Sequence, residues 1–282
     1  MCTKNVCLFQ QVLLKARSFA NEAGLPFLIT EYKDGLQGGP GNATVHSGHH
    51  GDRSYAAAFV MRNIPLLTSL DMLSYWTFTD GKCSRSLCVS FRRSSKKAVA
   101  QCSRRAGACP AGPSTANSGA SRRKESGPVW RAFQSLHQAG DTIYNVTVDG
   151  GEGTISAFAT TESGGSDLGA KGLQVFVTNF WPMAGATADP QTPSAANVSL
   201  TITGAKLPAT AFLWRIDDNT TRAMPLWQEM GEPHYPTPAQ LTELNRASEM
   251  QSEELHVGAG GQLTFSLPPF GVGIVRFSEA SY

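Results

Sequence analysis

Apolar and polar positions follow one regime up to Gly140 and another beyond it. Leu8, Val12, Ala16, Phe19 and Ala20 recur at helical spacing on one face, and Gly24 stands where a C-terminal cap belongs, so the first element is a helix. The run Leu25-Pro26-Phe27-Leu28-Ile29-Thr30-Glu31-Tyr32 follows, too short for a buried helix and flanked by Gly24 and Gly35. It reads as a strand covered on both faces, with Glu31 at its C-terminal tip. After a Gly-rich loop, Lys33 to Gly51, Asp52 opens a second helix with Tyr55, Phe59 and the run Ala56 to Ala58 facing inward, and Pro65 ends or kinks it. Met72-Leu73-Ser74-Tyr75-Trp76-Thr77-Phe78-Thr79-Asp80 is a second strand that again finishes on an acid. Helix, strand, loop, helix, strand is the rhythm of a parallel sheet with polar tips at corresponding ends.

Pro128 is placed for the first turn of a further helix, whose Val129, Phe133 and Leu136 share a face. Past Gly140 the pattern changes to short alternating strands at Thr154 to Thr161, Leu173 to Phe180, Val198 to Thr203, Ala211 to Ile216, Gln262 to Leu267 and Val272 to Phe277. Six or more such strands, separated by Gly, Pro and Asn, predict an antiparallel sandwich. One helix interrupts them, capped by Thr237 and started by Pro238. Its Leu241 and Leu244, with Ala247 or Ser248, mark the buried side, and Glu249, Glu253 and Glu254 face water.

Composition changes this picture in one place. Residues 81–125 hold eleven Lys/Arg and one acid, Glu125, a balance of +10 that leaves −8 for the rest of the chain. Four of the six cysteines (Cys83, Cys88, Cys102 and Cys109) lie there and the other two are Cys2 and Cys7, which argues against a disulfide framework tying the core. The segment has no aromatic interleaving beyond Phe91 and too little apolar content to order itself, so it reads as a disordered or mis-translated basic stretch and not as a nucleic-acid patch. No run approaches a transmembrane helix. Residues 5–14 are broken by Gln10 and Gln11 and followed by Lys15 and Arg17, which argues against a signal peptide there. His46, His49 and His50 in the Gly-rich loop lack the further ligands that a metal would need, so neither metal nor cofactor is expected.

The three ordered motifs Ile29-Thr30-Glu31-Tyr32, Tyr55-Ala56-Ala57-Ala58-Phe59-Val60 and Ser74-Tyr75-Trp76-Thr77-Phe78-Thr79-Asp80 resemble the final third of the catalytic barrel in glycoside hydrolase family 39, the β-xylosidases and α-L-iduronidases. The resemblance covers residues 8–80 and continues more weakly over 128–282. It implies an α/β plus all-β chain: the C-terminal part of a (β/α)8 TIM barrel followed by a β-sandwich domain. The expected division is 1–80 for barrel strands seven and eight with their helices, 81–125 for the basic segment, 126–140 for the last barrel helix, and 141–282 for the sandwich. By the same resemblance Glu31 is the nucleophile of a retaining glycosidase, and Tyr32, Tyr75, Trp76 and Asp80 bind the sugar.

Retaining hydrolysis needs two carboxylates about 5 Å apart. The family's acid/base stands in an Asn-Glu-Pro motif after the fourth strand, and this chain has none: Asn21-Glu22-Ala23 falls in the first helix and Gly231-Glu232-Pro233 comes too late. The chain also departs from the family after Asp80, where Gly81-Lys82-Cys83-Ser84 replaces an aromatic and a pair of acids. The expectation is a fragment, with about five of the eight barrel strands lying upstream and no appreciable activity by itself. Its partner is a carbohydrate, by default a β-xyloside and otherwise an α-L-iduronide, with no nucleic acid and no membrane. The other reading is a non-catalytic carbohydrate-binding β-sandwich module. Sequons at Asn42, Asn145, Asn197 and Asn219 permit N-glycosylation if the chain enters the secretory route, so a secreted or lysosome-like destination stays open should an upstream signal peptide have been lost.

Overall fold

The computed structural model describes residues 4–32, 53–67, 70–75, 87–94, 97–104, 127–162, 172–181, 193–221 and 223–277. Helix α1 (Lys4–Glu22) leads into β1 (Leu28–Tyr32), and α2 (Ser54–Leu67) leads into β2 (Met72–Tyr75), which pairs with β1 in parallel. Gly24 ends α1 as expected. It adopts φ +66°, the Leu25 N–H donates to the Ala20 carbonyl at 2.9 Å, and the Gly24 N–H donates to the Asn21 carbonyl at 3.1 Å, so the last carbonyls of the helix are satisfied. Helix α2 runs two residues past Pro65 and is buried along most of its length, with Ala57, Ala58, Val60, Met61 and Leu67 wholly covered.

The apolar stripe of α1 is only partly covered. Leu13 is buried, whereas Val12 and Phe19 are 57% and 58% exposed. In β1, read as covered on both faces, Leu28 is 44% exposed, because β1 is the outer strand of a sheet ordered β1, β2, β3, β4. Spacing reports which residues share a face. Whether that face is covered depends on a neighbour, and among the described residues none lies there.

Strands β3 (Leu87–Ser94) and β4 (Lys97–Arg104) form an antiparallel hairpin that extends the sheet from β2. Both fall inside the basic segment whose composition suggests disorder. Leu87, Val89 and Phe91 do alternate along β3, and the second edge of β2 supplies backbone partners that composition cannot register. The rest of 81–125 lies outside the described residues.

After α3 (Pro128–His137) come β5 (Thr142–Asn145), a 3-10 turn at Gly151–Gly153, β6 (Ile155–Thr161), β7 (Gln174–Asn179), β8 (Ala196–Thr201) and β9 (Thr210–Ile216). The chain then forms α4 (Ala223–Glu229), α5 (Pro238–Ala247), β10 (Ser252–His256), β11 (Gln262–Leu267) and β12 (Val272–Arg276). Six strands make one antiparallel sheet ordered β10, β9, β12, β7, β6, β5, while β8 and β11 pair as a second antiparallel sheet. Glu253 and Glu254 belong to β10 and not to the helix before it, although both are exposed as expected. Strand β10 escaped the pattern because only Leu255 in it is buried, and α4 because it is short and contains Pro225.

Alternate residues of the large sheet serve two cores. Phe158, Phe176, Trp214, Ile216, Val272 and Ile274 pack with α2 and α3. Val175, Val177, Ala211, Leu213, Leu255 and Val275 pack with Leu200, Leu263, Phe265 and Leu267 of the small sheet. Strands β7 and β12 are therefore buried throughout, as strands covered on both faces must be. Phe158 and Phe176, paired across β6 and β7, stack with centroids 4.7 Å apart.

Polar contacts pin α3 and α5 to this body. Thr237 and Gln240 form a reciprocal capping box at the start of α5, with the Thr237 N–H donating to Gln240 Oε1 at 2.8 Å. Arg131 of α3 donates to the carbonyl and the hydroxyl of Ser248, each at 2.9 Å, and burial pushes its pKa down, a shift that nearby Glu249 opposes. Gln174 donates to the Gln138 carbonyl at 2.7 Å, and the buried Arg276 donates to Gln138 Oε1 at 3.1 Å, which sets a cation against the C-terminal end of α3.

Candidate active site

Strands β1 and β2 are locked together at their N-terminal ends by one side chain. Asp71, which directly precedes β2, accepts from the Phe27 N–H at 2.8 Å and from the guanidinium of Arg17 on α1, and its own N–H donates to the Phe27 carbonyl at 3.0 Å. Helix, strand and neighbouring strand thus meet on a single carboxylate. This end of the unit is built for position.

The opposite end is irregular. Leu28 pairs with Met72 and Ile29 with Leu73, but the next pair is Tyr32 with Tyr75, so three steps along β1 match two along β2. The extra residue falls within Thr30–Glu31. Such an insertion breaks the strict alternation of a strand and re-aims a side chain, which is why bulges collect beside active sites. Glu31 is the penultimate residue of β1, with Tyr32 and Tyr75 at the facing C-terminal ends. Trp76 and Asp80, also expected at the site, lie outside the described residues, as do His46, His49 and His50. Among the described residues no three His, Cys, Asp or Glu side chains group as metal ligands, and no helix is long and apolar enough to cross a membrane.

Helix α2 delivers its C-terminal end to the start of β2, where the Leu70 N–H donates to the Leu67 carbonyl, so its N-terminal end lies toward the tip of β1. That N-terminus is held by residues distant in sequence. Asp218, after β9, accepts from the Ser54 N–H at 2.9 Å and so acts as an N-cap supplied from 164 residues away. Tyr55 packs against Phe180 and Phe270 at 5.2 and 5.3 Å between ring centroids. Phe270 adopts φ +59°, a conformation that costs a non-glycine residue and persists only under tight packing. Arg62 donates to the Phe180 carbonyl at 3.2 Å and lies over its ring at 5.3 Å, with its pKa lowered by burial. Sequence reading missed Asp71, Asp218 and Phe270. Asp71 and Asp218 carry no local motif, and their partners are remote.

A family model for glycosyl hydrolases family 39 matches residues 2–264. The chain belongs to that family. Among solved structures, this family 39 chain is similar to the GH39 enzyme from Xanthomonas axonopodis pv. citri, with 15% identity and a TM-score of 0.54, covering 99% of this chain and 50% of the other. It is also similar to a monomeric beta-xylosidase from Caulobacter crescentus CB15, with 17% identity and a TM-score of 0.53, covering 93% and 48%. At these identities the likeness is one of fold. The family 39 chain spans about half the length of these two structures. No curated protein sequence matches it. Its sequons at Asn145, Asn197 and Asn219 are exposed, and Asn42 lies outside the described residues.

Proposed function

We propose that this family 39 chain is the C-terminal portion of a retaining glycosidase with Glu31 as its nucleophile. In this reading α1, β1, α2, β2 and α3 are the end of a (β/α)8 barrel, and the two antiparallel sheets are its β-sandwich. The observation that carries it is the register break at Thr30–Glu31, at the C-terminal end of a parallel strand. Packed strands hold such a position rigidly while the loops beyond leave it open to substrate.

The Glu31 carboxylate attacks the anomeric carbon as the glycosidic oxygen departs with a proton from a second carboxylic acid, and a glycosyl ester forms. The second group, now a carboxylate, deprotonates water, which cleaves the ester with retained configuration. That acid/base belongs to a strand outside this chain, so the 282-residue chain alone turns over no substrate. By the family resemblance Tyr32, Tyr75, Trp76 and Asp80 bind the sugar, and a β-xyloside is the substrate to test first.

Joined in frame behind the upstream barrel half of the Caulobacter crescentus β-xylosidase, the chain is expected to cleave aryl β-xylosides. Glu31→Gln then removes nearly all turnover and leaves KM within roughly an order of magnitude, since charge at the anomeric carbon matters mainly in the transition state. Glu31→Gly with added azide restores a measurable rate, and a 2-fluoro-xyloside labels the peptide carrying Glu31. A label on another residue, with no rescue by azide, overturns the assignment.

A further inference from the structure

The connection between α4 and α5 carries the most exposed large apolar side chain among the described residues, Tyr235, at 65%. Its backbone is fixed on both sides of that ring. Helix α4 closes through Gly231 at φ +81° and Glu232 at φ +54°, with the Gly231 N–H donating to the Gln228 carbonyl at 2.9 Å and the Glu232 N–H to the Trp227 carbonyl at 3.0 Å. A left-handed glutamate is strained where a glycine is not, so it persists only because the surrounding contacts hold it. The indole of buried Trp227 donates to the Pro233 carbonyl at 3.2 Å, Pro236 is buried, and Thr237 enters the capping box of α5. Pro233, Pro236 and Pro238 further restrict the backbone. Between these anchors the rings of His234 and Tyr235 meet edge to face, with centroids 4.5 Å apart.

We propose that Tyr235, steadied by His234, is a carbohydrate-binding platform separate from the candidate active site, and that it takes a neutral chain of β-linked pyranoses. Three observations select this ligand. A protein interface needs an apolar core of several side chains. The other exposed large apolar residues lie at positions 12–28 and at Tyr144 and Val148, none of them on α4, α5 or their connection, so one ring stands there by itself among polar neighbours. A single open ring matches a pyranose, which has an apolar C–H face and a rim of hydroxyls. The only formal charge in residues 231–238 is that of Glu232, which is exposed and disfavours an anionic polymer. A ring already held in place by strained and proline-rich backbone gives up little further freedom when a ligand stacks on it. The inference draws on the carbohydrate chemistry of the family and not on the role of Glu31, so either can fail without the other.

The test titrates the full 282-residue chain with xylohexaose by isothermal calorimetry. Binding is expected, with Tyr235→Ala weakening it roughly ten-fold or more and Tyr235→Phe, which keeps the ring, within about three-fold of the parent. Because the side chain is largely exposed, Tyr235→Ala should keep the circular dichroism and Tm of the parent chain. A second measurement needs no variant. Tetranitromethane nitrates exposed tyrosines, and peptide mass spectrometry should show xylohexaose protecting Tyr235 while Tyr144, 44% exposed, reacts as before. The proposal is overturned if xylohexaose does not bind, if Tyr235→Ala binds as the parent does, or if Tyr235 is nitrated equally with and without the sugar. A homodimer that Tyr235→Ala dissolves makes a second copy the occupant of the ring and overturns it too.

Discussion

Replacing Asp71 with Ala should loosen β1 while leaving the large sheet untouched. The substitution removes an acceptor from the Phe27 N–H and from the Arg17 guanidinium, whose side chain is 14% exposed. Hydrogen bonds to a charged group contribute about 1.5–3 kcal/mol each, but the Asp71 side chain is 29% exposed and water replaces part of what is lost. The net cost is about 2 kcal/mol, roughly a 30-fold rise in local opening. Native-state hydrogen exchange read by mass spectrometry resolves this. Amides at 27–32 should exchange about 30-fold faster in the variant, and those of β7 and β12 at the parent rate. Asp71→Asn, which keeps an acceptor for Phe27 but not the charge, should fall between the two. Unchanged protection at 27–32, or an equal loss in β7 and β12, would refute the idea that one carboxylate locks this unit locally.

Asp218→Ala removes the acceptor on the first turn of α2 and should cost about 1 kcal/mol, a fall of about 2–4 °C in Tm, with Asp218→Asn retaining most of the loss-free value. Differential scanning calorimetry checks it; a fall no larger than the uncertainty would mean that water caps α2 equally well. Gly140→Ala would bring a methyl within 2.1 Å of the Thr161 carbonyl carbon, so backbone must move, and a loss of about 1–3 kcal/mol or more in urea unfolding is expected.

Local signals fared well wherever the chemistry was local. Gly24 as a cap, the Thr237 cap, the Pro128 helix and most strands beyond Gly140 each follow from residues within a few positions of one another. The same holds for the position of Glu31, since an apolar run that ends in a carboxylate marks a strand end regardless of what surrounds it. Strand β10 and the hairpin of β3 and β4 were hidden for the opposite reason. Their apolar content is thin, and their order comes from hydrogen bonds to a neighbour that the local pattern does not name.

By itself, the sequence determined the helices and strands of strong period, their change of regime at Gly140, and the family to which three ordered motifs pointed. Only the tertiary structure decided that Asp71 joins α1, β1 and β2, that Asp218 caps a helix 164 residues earlier, and that an extra residue interrupts β1 at Thr30–Glu31. It also decided that Val12 and Phe19, apolar and at helical spacing on α1, and Leu28 of β1 stand exposed. The physical reason is common to all of these. Periodicity encodes which residues share a face, while partners, register and cover depend on contacts between segments that no local pattern specifies.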